Sequence, residues 1–411
     1  MIDNINFVIL CVIIIVILLV ITSGVVFLYK VINSIRQEKI KQIFKNNSEN
    51  VYDVITGKKN VIDSSNIYIL SDVINIYYSW VNGEEKKQLY IALKKLNFFD
   101  IAIKMVQKGN KVQKLRFAKV ISIVGEEDEL KTLLKISIKE PYLIDTTAEA
   151  IFKNIDEIQN LNVFKPYLKT IFLNIDKYTD SVRRRIEFFA VYGGEKIKDI
   201  ILYVIKENPS DKVLISCLNI FSEIAALEDL EHIDFLINHP SPEVRSAFCR
   251  VIEKVGCRNC KEKLETLIKN EKINFVKLRA LRALSNVSPK GSLKYLLASL
   301  EDDWFYMRDF ARKMLSEFGP VILNDLLKFY YTTNDKFARD KIREVFYSPV
   351  NFDYIIKSAL NYRNEQEKDL ALEIIKILKS SNPHCFYQRM KDEGFEYLIT
   401  EKEVVNNECD I

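Results

Sequence analysis

The chain has 411 residues, and its 60 basic and 56 acidic side chains nearly balance. This balance argues against the strongly basic surface of a nucleic-acid-binding protein, so we expect no nucleic-acid partner. With only 11 Gly and 9 Pro, the chain has too few turn-forming residues for an all-β fold. Its many Leu, Ile, Lys and Glu residues favour helices, so the composition predicts an all-α protein.

The first predicted element is an uncharged apolar segment from Phe7 to Tyr29. At about 1.5 Å per residue, a helix of this length is enough to cross a bilayer. A cleaved signal peptide is the alternative, but no Lys or Arg precedes the segment and no Ala-x-Ala site follows it. We therefore predict a transmembrane helix at residues 7–29, preceded by a short extracytoplasmic N-terminus, residues 1–6.

Residues 30–50 are predicted to form a basic juxtamembrane helix that ends in the sequence KNNSEN. Because positive charge follows the anchor and none precedes it, the body of the protein is expected in the cytoplasm. The seven scattered cysteines, an odd number, are also unlike the disulfide framework of a secreted protein. The basic residues either contact anionic lipid headgroups or act only as a topology signal. The candidate lipid-contacting residues are Lys30, Arg36, Lys39 and Lys41.

The sequence VRSAFCRVIEKVG, which begins at Val244, recurs along the chain in altered form. Related copies begin at Val182, Val213, Val276 and Met307, and a fainter one begins at Ala338. Successive starts differ by 31 or 32 residues, and apolar positions within each copy follow the spacing of one helical face. A second apolar segment lies between copies, so each unit is predicted to be a pair of helices that buries its core against its neighbours.

The pattern predicts an α-solenoid of about 31-residue repeats over residues 111–390. Residues 51–110 look helical but do not follow the period, so we predict that they cap the array. Residues 391–411 are predicted to be a frayed polar tail.

The sequences HPSPEVRSAFCRVIEKVG and DDWFYMRDFARKMLSEFG resemble bacterial HEAT-type repeats. The resemblance extends from about Lys111 to Leu378. It implies a concave face that is lined by the Val-Arg helices and binds a protein. The sequence departs from the family pattern in two ways. Its repeat is shorter than that of the longer HEAT repeats, and Leu214 and Lys277 replace the arginine of the Val-Arg pair.

Residues that could carry out chemistry are few, and we predict no catalytic, cofactor-binding or metal-binding residue. The histidines are His232, His239 and His384, and none has a partner at catalytic or metal-binding spacing. His239 stands in a repeat turn, where it is expected to satisfy the backbone. The CRNC sequence, residues 257–260, fits a redox pair or half of a zinc site, but packing cysteines are the favoured interpretation.

The candidate partner-binding residues are Arg250, Arg282 and Lys313, at the seventh position of three successive copies. If the Val-Arg helix is the inner one, as the resemblance implies, the three cations form a row that suits an acidic partner. The alternative is a solvated face, on which Glu253 and Glu317 pair with the cations of their own helix.

Two aromatic clusters, residues 303–307 and 329–331, are predicted to lie mostly in the core, with one or two rings exposed as interface anchors.

These features favour a non-catalytic membrane-anchored scaffold or adaptor that binds an acidic or membrane-bound protein. One alternative is a peripheral regulator of a membrane enzyme such as a glycosyltransferase. A second is a repeat-fold enzyme of the lyase-like or DNA-glycosylase-like kind, and a third is a lipid-surface binder that works through the juxtamembrane helix.

Overall fold

The computed structural model describes residues 2–62, 64, 66–77, 83–360 and 364–395, and for residues 2–28 it describes the backbone alone. Every regular element in these ranges is an α-helix or a short 3-10 helix, which confirms the all-α prediction. The α-helices are α1 (Ile2–Ile55), α2 (Ile67–Ile76), α3 (Gly83–Lys95), α4 (Phe98–Lys108), α5 (Lys111–Val124), α6 (Glu127–Ser137), α7 (Ile144–Lys153), α8 (Lys165–Leu173), α9 (Asp180–Ala190), α10 (Glu195–Lys206), α11 (Asp211–Ile224), α12 (Pro242–Val255), α13 (Lys261–Asn270), α14 (Asn274–Val287), α15 (Pro289–Ser299), α16 (Phe305–Glu317), α17 (Leu323–Thr332), α18 (Lys336–Phe346), α19 (Pro349–Ala359), α20 (Glu365–Ser381) and α21 (Pro383–Asp392).

The repeated sequence corresponds to α9, α11, α12, α14, α16 and α18. Each predicted start, from residue 182 to residue 338, is the third residue of its helix. The register of the repeat was therefore predicted correctly, because apolar spacing within one helix is a local property of the sequence.

The chain divides into two compact units, residues 1–220 and 221–411, and the boundary falls within α11. In the first unit, α1 packs on α2 and α3, and α5 packs on α4 and α7. In the second unit, α12 packs on α14, α14 on α16, and α16 on α18. The intervening helices α13 and α15 also contact α14. The repeated helices of the second unit thus form one continuous layer.

The turns before α12, α14, α16 and α18 share one hydrogen-bond pattern. A side chain accepts a bond from the backbone N–H two residues later, at 2.9–3.2 Å. The accepting residues, 31 or 32 positions apart, are His239, Glu271, Asp302 and Thr333. This pattern confirms that His239 satisfies the backbone of its turn.

In α12, α16 and α18, the arginine at the second position of the repeated sequence also binds the turn before its helix. The guanidinium groups of Arg245, Arg308 and Arg339 donate to the carbonyl oxygen six residues earlier, at 2.7, 3.0 and 2.6 Å. Lys277 instead reaches Asp302 at 3.4 Å. These arginines therefore have a structural role, because each ties the start of its helix to the preceding turn.

Helix α1 does not end at the KNNSEN sequence, as predicted, but continues to Ile55. Asn47 is buried, as are Val51 and Val54 one and two turns later. Packing of this end of α1 on α2 and α3 outweighs the weak helix propensity of the Asn and Ser residues.

In the part of the chain whose side chains are described, no helix combines the length and apolar character needed to cross a bilayer. The predicted transmembrane segment, residues 7–29, lies outside that part except for Tyr29. Most of the predicted tail, residues 396–411, also lies outside the described residues.

Candidate partner-binding surface

Three neighbouring helices place the predicted cations at equivalent positions. Arg250, Arg282 and Lys313 are each the ninth residue of their helix, on α12, α14 and α16. Because α14 contacts both α12 and α16, the three side chains form a row with a step of about 10 Å. Arg282 and Lys313 are exposed, and the Arg250 side chain is 43% exposed. We call Arg250, Arg282 and Lys313 the cationic row.

The acidic partners of the cationic row differ from those predicted. Arg250 pairs with Glu223 on the preceding helix at 3.5 Å, and Lys313 pairs with Asp309 at 3.0 Å. Glu253, predicted to pair with Arg250, instead pairs with Arg279 of α14 at 3.4 Å. The predicted pair between Arg250 and Glu253 within α12 is thus replaced by ion pairs to neighbouring repeats.

Arg282 is the member of the row whose charge is least compensated. Its guanidinium lies over the Phe310 ring, 5.3 Å from the centroid, and no carboxylate lies within ion-pair distance in the described part of the chain. By contrast, the hydrogen bond from Lys313, followed by that from Arg312, outweighs burial and lowers the pKa of Asp309. Asp309 is therefore fully ionised at neutral pH and offsets the charge of Lys313.

A row of exposed aromatic rings lies on the same helical layer. Phe275, Tyr306 and Phe337 are each the second residue of their helix, on α14, α16 and α18, and are 42%, 65% and 61% exposed. We call these three residues the aromatic row. Phe275 and Tyr306 precede Arg282 and Lys313 by seven residues. Residues seven apart lie on one side of a helix, so the two rows share a face.

The sequence interpretation of the aromatic clusters was wrong in placing most of them in the core. Among the aromatic residues of 303–307 and 329–331, none is buried. Phe305, Tyr306 and Tyr331 are more than half exposed. The aromatic row was missed as a row, although the 31-residue step from 275 to 306 to 337 could have revealed it.

The CRNC sequence lies outside this face, in the turn that leads into α13. Cys257 and Cys260 form a disulfide, and both are buried. The burial of both side chains agrees with the prediction that these cysteines pack in the core, but the disulfide between them was not predicted. Among the described residues, no group of three or more His, Cys, Asp or Glu side chains is placed to hold a metal ion.

A cavity of about 320 Å³ adjoins the disulfide in the second unit. Phe248, Ile252 and the two cysteines contribute to its wall, and Lys263 pairs with Asp234 at its edge at 2.7 Å. A cavity of about 510 Å³ in the first unit contains Lys86, which is paired with Glu157 at 3.0 Å. Neither cavity is lined by a histidine.

Comparison with known proteins agrees with the repeat pattern. The model of one protein family, described as HEAT repeats, matches residues 231–316. No curated protein matches the chain. The matched residues include α12 to α15 and nearly all of α16, the helices that carry the cationic row. The match shows that this part of the helical layer is similar to HEAT repeats, which generally mediate protein interaction.

Proposed function

We propose that this chain is a non-catalytic, membrane-tethered adaptor that binds an acidic protein segment on the face that carries the cationic row. The observation that supports this proposal most directly is the placement of three cations at one equivalent position on three contacting helices. Complementary charge across such a surface steers association and sets specificity. The repeat fold supplies the extended surface, so the function requires no reaction centre.

Reversing the three charges together, as R250E/R282E/K313E, is expected to weaken the binding of a fluorescent polyglutamate peptide at least tenfold at low salt. The loss should shrink as salt rises, because ions screen exposed charges over about 10 Å at 0.1 M. Fluorescence anisotropy of the peptide with the full chain in detergent measures the effect.

The matched control is K269E/K290E/K328E, which changes the net charge by the same amount on α13, α15 and α17. Its affinity for the peptide should stay close to that of the unaltered chain. Equal losses in both variants would show that net charge alone attracts the peptide, which would contradict a defined binding face.

The membrane tether is supported by the apolar segment at residues 7–29 and by the basic residues after it. Lys30, Arg36, Lys39 and Lys41 are exposed on α1, where they can contact anionic headgroups. The proposed arrangement is a single pass through the cell membrane, with the N-terminus outside and the repeats in the cytoplasm. The Cys257–Cys260 disulfide argues the other way, since disulfides are rare in cytosolic proteins.

Labelling of Cys385 is expected to decide the topology. Cys385 is an exposed free thiol, whereas Cys249 is fully buried and burial raises its pKa to about 12. In a C11S/C409S variant, a maleimide that cannot cross membranes should label Cys385 only after cells are permeabilised. Equal labelling of intact cells would place the repeats outside the cytoplasm.

A further inference from the structure

We propose that the acidic partner segment is also proline-rich, and that it lies across α14, α16 and α18 as a polyproline II helix. In this arrangement one proline packs on each ring of the aromatic row, Phe275, Tyr306 and Phe337. The inference rests on the proposed function, since it specifies the segment that the same face would bind.

The rings of the aromatic row are available to a partner. Each is substantially exposed although the residue that follows it, Val276, Met307 or Ala338, is fully buried. Arg308 lies 5.1 Å from the centroid of Phe337, and the Trp304 ring lies 5.4 Å from that of Tyr306. Because these contacts hold the Phe337 and Tyr306 rings in place, a partner can bind them with little loss of side-chain entropy.

The spacing expected for rings on successive packed helices is close to one turn of polyproline II. Packed helices lie about 8–10 Å apart, so rings at one position of successive helices repeat at about that distance. A polyproline II helix has three residues per turn and a rise of about 3.1 Å, so every third residue recurs at about 9.3 Å. A β-strand presents side chains to one face about every 6.6 Å, which does not match.

An α-helical partner would also match, because residues seven apart are about 10.5 Å apart along its axis. Unused donors beside the rings favour polyproline II. In the described part of the chain, neither the Tyr306 hydroxyl nor the Trp304 indole N–H donates to another group. Polyproline II has no internal hydrogen bonds, so its carbonyl oxygens can accept from these donors, whereas an α-helix uses its own carbonyls.

The cations near the aromatic row indicate that the bound segment is acidic. The Arg308 and Arg339 guanidinium groups bond to turn carbonyls, and no carboxylate of the described residues lies within ion-pair distance of either. On the same face, Arg282 and Lys313 lie two helical turns after Phe275 and Tyr306. Acidic residues placed between the prolines would point toward these cations, so the geometry favours a Pro-Glu-x pattern.

The test compares three fluorescent peptides with equal numbers of Glu residues on the full chain in detergent. They are four repeats of Pro-Glu-Ser, four repeats of Gly-Glu-Ser, and an amphipathic helical peptide with Leu every seventh residue. We expect the proline peptide to bind at least tenfold more tightly than the glycine peptide. The variant F275A/Y306A/F337A should lose this preference and still bind the glycine peptide as the unaltered chain does.

Two further variants separate the contributions. F188A/Y192A removes two rings of similar exposure from the first unit and should keep the preference for proline. Y306F removes only the hydroxyl donor, so it tests the hydrogen bond in a chain whose packing is unchanged. It should weaken the binding of the proline peptide severalfold and leave that of the glycine peptide unaltered.

The outcomes distinguish this inference from the proposed function. Equal binding of the proline and glycine peptides, with both weakened by R250E/R282E/K313E, would overturn the inference and support the acidic-segment adaptor. Tighter binding of the helical peptide would also overturn the inference. If no acidic peptide bound, or if the charge reversal had no effect, the proposed function itself would be overturned.

Discussion

Replacing Glu271 with alanine is expected to lower the free energy of unfolding of the second unit by about 3 kcal/mol. The Glu271 side chain is 5% exposed and binds Arg245 through two bonds, at 2.8 and 3.1 Å. Arg245 also donates to the carbonyls of His239 and Pro240. Removing the carboxylate leaves a partly buried guanidinium without its counter-ion and removes a link between two turns.

Urea denaturation, together with amide hydrogen exchange of α12 and α14, measures this loss. The control is D234A, which breaks a pair with Lys263 whose two side chains are both 48% exposed. Because an exposed pair contributes little, this variant should change stability by less than about 1 kcal/mol. Equal effects of E271A and D234A would mean that the buried pair does not tie the repeats together.

The same residue predicts a pH dependence. Burial alone would raise the pKa of Glu271, but the hydrogen bonds from Arg245 and the backbone N–H groups of Ile273 and Lys272 lower it below its ordinary value. Since the folded pKa is lower than the unfolded one, the stabilising contribution is present above the unfolded pKa. It is lost as pH falls through the folded pKa. The stability of E271Q should therefore fall less than that of the unaltered chain between neutral pH and about pH 3.

Replacing Phe248 with alanine is expected to cost about 4 kcal/mol, the second large effect. Phe248 is 1% exposed in α12 and already borders the 320 Å³ cavity beside the disulfide. Truncation removes the transfer free energy of the ring and enlarges a space that the neighbouring helices cannot fully fill. Thermal and urea unfolding should both show the loss.

The matched control is Y306A, since Tyr306 is also aromatic and on a repeated helix but is 65% exposed. Its effect on stability should be within about 0.5 kcal/mol. A loss of less than about 1 kcal/mol for F248A would contradict the tight packing of the α12–α14 layer.

Local patterns in the sequence predicted the helices and their register. In VRSAFCRVIEKVG, Val244, Phe248 and Ile252 are all buried, as their spacing of four residues indicates. The prediction failed where tertiary contacts decide the outcome. The helical state of Asn47 depends on its burial against other helices, and a single-helix pattern contains no information about that burial.

The sequence predicted where the cations of the candidate surface lie, but not which carboxylates pair with them. Arg250, Arg282 and Lys313 do occupy one row, because the repeat fixes their place on each helix. Their partners could not be read from one helix, since Glu223 reaches Arg250 from the preceding helix. The exposure of Tyr306 was not predicted individually, although its position seven residues before the exposed Lys313 indicates it.

The unbroken course of α1 from Ile2 to Ile55 has a mechanical consequence for a tethered protein. From Tyr29 to Val51 the helix rises about 33 Å, so the first unit would stand at a set height above the bilayer with no slack in the connection. A flexible linker of the same length would let the repeats sweep a broad volume. In the proposed tethered arrangement, a stiff helix instead keeps the first unit at one distance from the bilayer.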